Sequence, residues 1–445
     1  MRAEQRGRVT RVCLAANREA KEPVSKPKPF VISKRVVYDA YLKVKANKGA
    51  AGVDEESIEE FEKDLKGNLY KLWNRMSSGS YFPPPVRMVE IPKDGGRGVR
   101  VLGVPTVADR VAQTVVKIYL EPKVEPIFHE DSYGYRPGRS ALQAVGVCRQ
   151  RCWERDWVID LDIQKFFDNL DHELVLRAVR HHTDEKWILL YVQRWLEAPM
   201  QREDGTLVAR EKGSPQGSAI SPLLANLFLH YAFDAWMKRE FPHIWFERYC
   251  DDLVVHCVSE RQAEYILKAI TERLAECKLE VSPTKTCIVY CKDENRRGSY
   301  KKERFDFLGY TFRPRLSRSE KYDRYFVNFS PAVSDEARKE IRWEIRHWRL
   351  QLRSDKTIGD LARMFNPIVQ GWINYYGRYY PSMLRLTLRP LNEYLVRWAR
   401  RKYKRLRGHE ARARDFVATV GRREPHLFAH WRIGVRPDGW VTGAR

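Results

Sequence analysis

Residues 248–255 read Arg248-Tyr249-Cys250-Asp251-Asp252-Leu253-Val254-Val255. Two adjacent carboxylates lie between two strand-like apolar stretches within Phe246 to Cys257. Ionised acids in an apolar β context are costly unless a cation neutralises them. A second segment has the same texture. Trp157-Val158-Ile159-Asp160-Leu161-Asp162-Ile163 reads as a short strand with embedded acids. Asp160 and Asp162 are two apart and therefore share a strand face.

The overall charge makes these acids conspicuous. The chain has 445 residues, with 81 Lys+Arg against 58 Asp+Glu, a net +23. Such a balance points to a polyanionic partner, nucleic acid first. A cleft for a polyanion should avoid acids. Paired carboxylates holding two magnesium ions about 3.5–4 Å apart would resolve the conflict, because Mg²⁺ takes carboxylates together with substrate phosphates. One metal would activate a primer 3′-hydroxyl and the other would stabilise departing pyrophosphate.

Composition excludes several classes. Hydrophobic residues make up 43% and aromatics 12%, which argues against a wholly disordered chain. No run approaches 18 uncharged apolar residues, so no transmembrane helix is expected. Basic Met1 to Arg11 lacks an apolar core, so it is no secretory signal. A soluble, cytoplasmic protein is the expectation. Its eight cysteines are Cys13, Cys148, Cys152, Cys250, Cys257, Cys277, Cys287 and Cys291. Cys148/Cys152 and Cys287/Cys291 are each four apart, yet no partner pair stands at a recognisable zinc spacing. Reduced, buried, structural thiols are expected.

Working outward, residues 1–30 mix prolines and charges and read as a mobile basic tail. Apolar spacing predicts helices around 36–44, 57–72, 106–120 and 140–154. Between them, Val86 to Ile91 and Val99 to Val104 read as strands joined by a turn at Asp94-Gly95-Gly96. Further helices are predicted at about 171–181, 184–196, 221–238 and 260–276, with a hairpin turning at Asp204-Gly205. Ile288 to Cys291 and Phe305 to Phe312 are strand candidates. From about 332 the chain becomes helical and basic: residues 331–445 hold 25 Lys+Arg and 11 Asp+Glu, so +14 of the net charge lies in the last quarter. No internal repeat is evident. The pattern is mixed α/β followed by an α-helical module.

These segments resemble, in order, the motifs of group II intron reverse transcriptase/maturases. Tyr249-Cys250-Asp251-Asp252 resembles the family's Tyr-x-Asp-Asp, with Cys250 where Ala is usual. Asp162 to Asp171 (DIQKFFDNLD) resembles the first catalytic block, and Gly213 to Asn226 (GSPQGSAISPLLAN) the PQG block, with Ser218-Ala219 where Gly-Val is commoner. Ser132 to Ser140, Lys48 to Asp54, Phe305 to Tyr310 and Asn366 to Tyr376 match further blocks, the last in the maturase domain. The likeness covers about residues 31–440.

The resemblance implies a right-hand polymerase of the α+β class: fingers over 31–155, a palm with an antiparallel sheet over 156–320, and a helical thumb and maturase module over 321–445. It implies an RNA-directed DNA polymerase using two Mg²⁺ ions. Such a protein binds structured intron RNA, assists its splicing, and copies RNA from a DNA primer with dNTPs during retrohoming. Asp162, Asp251 and Asp252 would be the catalytic metal ligands, with Asp160 and Asp168 as nearby supporting acids. Phe167, five residues after Asp162, would close on the sugar 2′ position, leaving Phe166 for the core. Gln216 would line the nucleotide pocket. Lys93 and Arg100 would bind the triphosphate, with Arg97 as a rival and Val101 where Pro is common. Competing readings are a splicing cofactor with a silent polymerase, and a free-standing reverse transcriptase serving phage defence or DNA repair. Oligomeric state is not legible.

The basic C-terminal helices suit RNA. Ile341, Ile345, Trp348 and Leu352 predict an apolar stripe, with Arg338, Arg342, Arg346, Arg349 and Arg353 beside it. Leu391, Tyr394, Leu395 and Trp398 form a second stripe, flanked by Arg397, Arg400, Arg401, Lys404 and Arg405. Interleaved arginines and aromatics allow phosphate contact and base stacking. No cysteine follows Cys291, so the paired-cysteine endonuclease of many relatives is not expected.

Overall fold

The computed structural model describes residues 28–92, 98–319 and 323–437. Most of the expected tail lies outside these residues, as do Lys93, Arg97 and the Asp94-Gly95-Gly96 turn. Among the described residues no helix is long and apolar enough to cross a membrane.

Helix α1 (Lys34–Asn47) starts at Ser33, whose hydroxyl accepts from the Arg35 amide. The helix expected over 57–72 is two, α2 (Ile58–Lys63) and α3 (Leu65–Ser78). Asp64 parts them: its backbone leaves the helical region (φ −127°, ψ 53°), and its carboxylate accepts from the Gly67 amide at 3.1 Å. A side chain that caps a new N-terminus competes with helix continuation.

Strands β1 (Val86–Pro92) and β2 (Val99–Val104) pair antiparallel. Helices α4 (Val107–Val124) and α5 (Ala141–Glu154) follow, then β3 (Trp157–Asp162), α6 (Phe166–Asn169), α7 (His172–His182) and α8 (Lys186–Glu197). A short hairpin, β4 (Met200–Gln201) and β5 (Leu207–Val208), joins the first sheet beside β1. The helix expected over 221–238 forms as α9 (Ser221–Leu229) and α10 (Ala235–Glu240), with a π turn at His230–Asp234 between them. Next come β6 (Trp245–Tyr249), β7 (Asp252–Cys257), α11 (Glu260–Glu276) and β8 (Cys287–Tyr290).

The central sheet has the order β6-β7-β3-β8, every neighbour antiparallel. Its two faces differ. Ile159, Leu161, Leu253 and Val255 point into the largest core, which runs from Ile32 to Tyr290. That core takes in residues of both the expected fingers and the expected palm. Val158, Val254 and Val289 pack on the other face with Cys148 and Cys152 of α5. Asp160, Asp162 and Asp252 have the parity of Val158 and Val254, so the sheet's alternation puts them on this second face.

The run Phe305 to Phe312, expected as one strand, folds back on itself. Leu308 (φ 50°) and Gly309 (φ 75°) both take left-handed conformations, closing a hairpin between β9 (Phe305–Phe307) and β10 (Tyr310–Ser319). A third strand not expected from the sequence, β11 (Arg324–Val333), pairs along β10. Fully buried Tyr310 packs against the rings of Tyr375, Tyr376 and Tyr379, and the Tyr375 hydroxyl donates to the Leu308 carbonyl at 2.8 Å. These contacts seat the C-terminal module on the palm.

That module has its own core, from Val333 to Trp431. It comprises α12 (Asp335–His347), α13 (Ile358–Tyr376), α14 (Pro381–Leu388), α15 (Pro390–Lys402), α16 (Glu410–Arg423) and α17 (Ala429–Arg432). Trp348 stacks between Phe365 (4.4 Å) and Trp372 (5.5 Å). The first predicted stripe fails beyond it. Arg349 turns left-handed (φ 46°), Leu350 enters the core, and Leu352 stays 48% exposed. Arg353 is drawn inward, its Nε donating to the Trp348 carbonyl. Lys404 and Arg405 likewise lie beyond α15, in a one-turn 3-10 helix.

Candidate active site and nucleic-acid interface

The sheet register delivers the acids. Asp162, the last residue of β3, pairs directly with Asp252, the first of β7. Tyr249 and Asp252 close the β6–β7 hairpin, leaving Cys250-Asp251 as its two-residue turn. Cys250 takes φ 60°, a conformation that favours glycine at the first turn position. Holding a non-glycine residue there costs on the order of 1–3 kcal/mol, and the conformation persists only where its surroundings enforce it.

The enforcing residues are buried polar groups that sequence reading missed. Arg248 is fully buried and grips both carboxylate oxygens of buried Asp234 (2.7 and 2.6 Å). Its Nη1 donates to Asn226 Oδ1 (3.0 Å) and to the Cys250 carbonyl (3.3 Å). Asn226 in turn donates to the Gly134 carbonyl at 2.6 Å. Gly134 must be glycine: a Cβ there would lie 2.6 Å from the Cys250 nitrogen. The signal was an arginine within a strand-like stretch, a residue type rarely buried unless paired.

Electrostatics mark the corner as crowded with negative charge. Burial, then Asp251 and Asp162, push the Asp252 carboxyl up to about 7. Asp252 still opens onto solvent, so the desolvation is that of a packed cleft wall. Burial, followed by Asp252, Asp306 and Asp162, raises Asp160 to about 7 as well. Burial and Asp162 raise Asp251. Lys285 Nζ pairs with Asp162 Oδ1 at 2.9 Å. The loop carrying Lys285 also fixes the strand end: the Asp162 amide donates to Thr286 Oγ1, and the Ser282 amide to the Asp162 carbonyl. Acids that raise one another's pKa fit oxygen-liganded divalent cations, which would relieve the repulsion.

The residues expected on the nucleotide side come from three elements. Phe166 is buried, whereas Phe167 is half-buried beside it, and the Ser214 amide donates to the Phe167 carbonyl at 2.8 Å. The PQG loop packs on β2: the Gly103 amide donates to the Gln216 carbonyl at 2.7 Å, and a Cβ on Gly217 (φ 110°) would meet the Gly103 carbonyl at 2.8 Å. Buried Gln113 accepts from Ser218 Oγ and the Ala219 amide, and donates to Asp109. Asp109 is fully buried, also accepts from Tyr81 and Trp195, and burial raises it to about 6. Arg100 is exposed on β2, opposite Ile91, and its charge acts on Asp252 across the cleft. Asp168 is exposed, and its backbone carbonyl backs Gly213.

On the C-terminal module, Arg342 and Arg346 are exposed on α12, beside Trp343, which is 58% exposed and lies against the His347 ring. Arg397, Arg400 and Arg401 of α15 gather with Arg407 around a hollow lined also by Gln351, Leu352 and Gly408. Arg400 there lies 3.5 Å from Glu410. Lys404 is exposed on the turn that follows.

Comparison with known families agrees with this arrangement. Residues 91–312 match the model for reverse transcriptase (RNA-dependent DNA polymerase), and residues 338–416 the group II intron, maturase-specific domain. The group II intron-encoded protein LtrA of Lactococcus lactis subsp. cremoris is 30% identical over 203 residues, 45% of this chain and 33% of that protein. Protein YkfC of Escherichia coli (strain K12) is 34% identical over 203 residues, 44% of this chain and 52% of that protein. The putative COX1/OXI3 intron 1 protein of Saccharomyces cerevisiae is 32% identical over 170 residues, 38% of this chain and 20% of that protein. The matches thus span from a fifth to about half the length of these relatives. With a reverse transcriptase domain followed by a maturase-specific domain on one chain, the protein belongs to the group II intron reverse transcriptase/maturases.

Proposed function

We propose that the protein is an RNA-directed DNA polymerase that binds group II intron RNA, assists its splicing, and copies RNA into DNA during retrohoming. The observation that carries the reading is the cross-strand pair Asp162 and Asp252 with Asp251 on the adjoining strained turn. Asp162, Asp251 and Asp252 would hold two Mg²⁺ ions, which supply charge neutralisation for phosphoryl transfer. The chain's own residues do the positioning that dominates such chemistry. Arg248 and Asn226 hold the turn that carries Asp251. Arg100 faces the cleft from β2, a guanidinium fork suited to a triphosphate. Phe167 offers a half-buried ring beside the PQG loop, where a sugar 2′-hydroxyl would clash. Lys285 holds Asp162 and would exchange that partner for a cation.

Intron RNA would lie on the arginine-rich C-terminal module, and dNTPs and primer on the palm. Asp251→Asn should abolish extension of oligo(dT) on poly(rA) with Mg²⁺ while RNA binding persists. Unchanged extension would remove the metal assignment. A splicing cofactor with a silent polymerase would give no extension from the unaltered protein either.

A further inference from the structure

Two buried polar side chains of α4 hold the PQG loop. Asp109 and Gln113 are one turn apart and both are buried, so they share the inner face of the helix. Gln113 Oε1 accepts from Ser218 Oγ at 2.7 Å and from the Ala219 amide at 2.8 Å. Its Nε2 donates to Asp109 Oδ2 at 2.9 Å. Asp109 Oδ1 accepts from the Tyr81 hydroxyl and from Trp195 Nε1, each at 2.7 Å.

The donors dictate which way each group points. A backbone N–H and an indole N–H can only donate. The Ala219 amide therefore requires the Gln113 oxygen, and the Trp195 ring requires an Asp109 oxygen. The Gln113 nitrogen is left facing the carboxylate, which as an ion only accepts. Orientation thus passes from Asp109 through the Gln113 amide to the backbone of the loop. Buried as they are, these groups have no water to turn to if one of them is mismatched.

The loop is anchored on both sides of its exposed crest. On one side the Gln216 carbonyl accepts from the Gly103 amide at 2.7 Å, and on the other Ser218 and Ala219 meet Gln113. Gly217 is exposed between the two anchors, at φ 110°. The start of the loop is tied to the expected sugar gate, the Ser214 amide donating to the Phe167 carbonyl. Both anchors come from one stretch of chain. Thr106, two residues after β2, caps α4 by accepting from the Asp109 amide at 3.2 Å. β2 itself carries Gly103 and Arg100.

We propose that Asp109 and Gln113 are positioning residues for the incoming dNTP: the carboxylate sets the Gln113 amide, and the amide oxygen holds the PQG loop so that Gln216 lines the nucleotide pocket. The inference rests on the polymerase reading above and deepens it by naming residues that act through the loop. The pair governs dNTP affinity more than the chemical step, because the proposed metal ligands lie on β3 and at the β6–β7 turn, away from this loop's anchors.

Exchanging the two chemistries in the full chain tests this, at about pH 8, where Asp109, raised to about 6, is ionised. Asp109→Asn sets one amide against another. Whichever rotates, the Ala219 or the Trp195 N–H loses its acceptor. Gln113→Met leaves both loop donors unmet. The double variant Asp109→Asn/Gln113→Glu restores every donor and acceptor with the charge unchanged: the new amide donates to the new carboxylate, whose other oxygen serves Ser218 and Ala219. Each single variant should raise the dNTP KM about tenfold, as for one unmet buried hydrogen bond, while kcat and the primer–template KM change far less. The double variant should return close to the parent KM. Hydrogen exchange over residues 213–220 should quicken in the single variants and slow again in the double. A pair that merely stabilised the fold would lower the melting temperature and leave the dNTP KM of folded single variants at the parent value, and that result overturns the proposal. A double variant no better than Asp109→Asn also overturns it. Should a single variant fail to fold, Ser218→Ala takes its place, since it removes one loop bond and leaves Asp109 untouched; an unchanged dNTP KM there overturns the proposal. A parent protein that extends no primer refutes the polymerase reading instead, and the exchange pattern, which needs no catalysis, still decides the loop anchor.

Discussion

Replacing Asp234 by Ala tests how the catalytic turn is held. Asp234 and Arg248 are both fully buried, and the carboxylate takes two of the guanidinium's hydrogen bonds, at 2.7 and 2.6 Å. Removal leaves a buried cation with only the Asn226 side chain and the Cys250 carbonyl, at 3.0 and 3.3 Å. Breaking a buried pair from one side costs about 3–5 kcal/mol, because the surviving charge is uncompensated. The loss should appear as a lower urea midpoint. Arg248 is also the clamp on Cys250, whose left-handed backbone stores about 1–3 kcal/mol of strain. A loosened turn would misplace Asp251, and an error near 1 Å costs on the order of 10²-fold in rate. The informative comparison is the double variant Asp234→Leu/Arg248→Met. Apolar replacement of a buried pair is often near neutral in stability, yet it still removes the clamp. The double variant should therefore recover most of the urea midpoint while primer extension stays low. A single variant within about 1 kcal/mol of the parent, or a double variant with full extension, would refute the reasoning.

Other perturbations address separate parts of the molecule. Phe167→Ala should raise ribonucleotide incorporation relative to dNTPs, and an unchanged ratio would demote the ring as a sugar gate. Asp109 is raised from 3.8 to about 6, so the folded state binds its proton more tightly than the unfolded state does. Its contribution is full below about pH 4 and declines as pH rises through about 6. Melting temperatures across this range should show a decline that Asp109→Asn flattens; identical slopes would dismiss Asp109 as its source. Changing Arg397, Arg400 and Arg401 together to Gln should weaken RNA binding and reduce its salt dependence, since each phosphate contact contributes to that slope. An unaltered slope would place the RNA elsewhere.

Local pattern carried the fold a long way. α11 spans the residues its apolar period suggests, and β3, β7 and β8 lie where short apolar runs bounded by turns place them. Where expectation failed, a single residue's conformation was decisive. Asp64 caps a new helix instead of extending the old one. Leu308-Gly309 reverses the chain within an apolar run, and Arg349 ends a stripe whose spacing continued in the sequence. Hydrophobic period records which side chains want burial, and is blind to a left-handed residue that redirects the chain.

The candidate site divides along the same line. That acids sit in apolar strands of a basic chain is a matter of composition and order, and it pointed to cations and nucleic acid before any coordinates. That Asp162 faces Asp252 and that Arg248 reaches Asp234 and Asn226 are long-range facts. They depend on strand register and on a helix laid across a sheet, which no local spacing encodes. Burial then converts those meetings into energetics, because only in a desolvated interior do like charges raise one another and an unpaired nitrogen demand a partner.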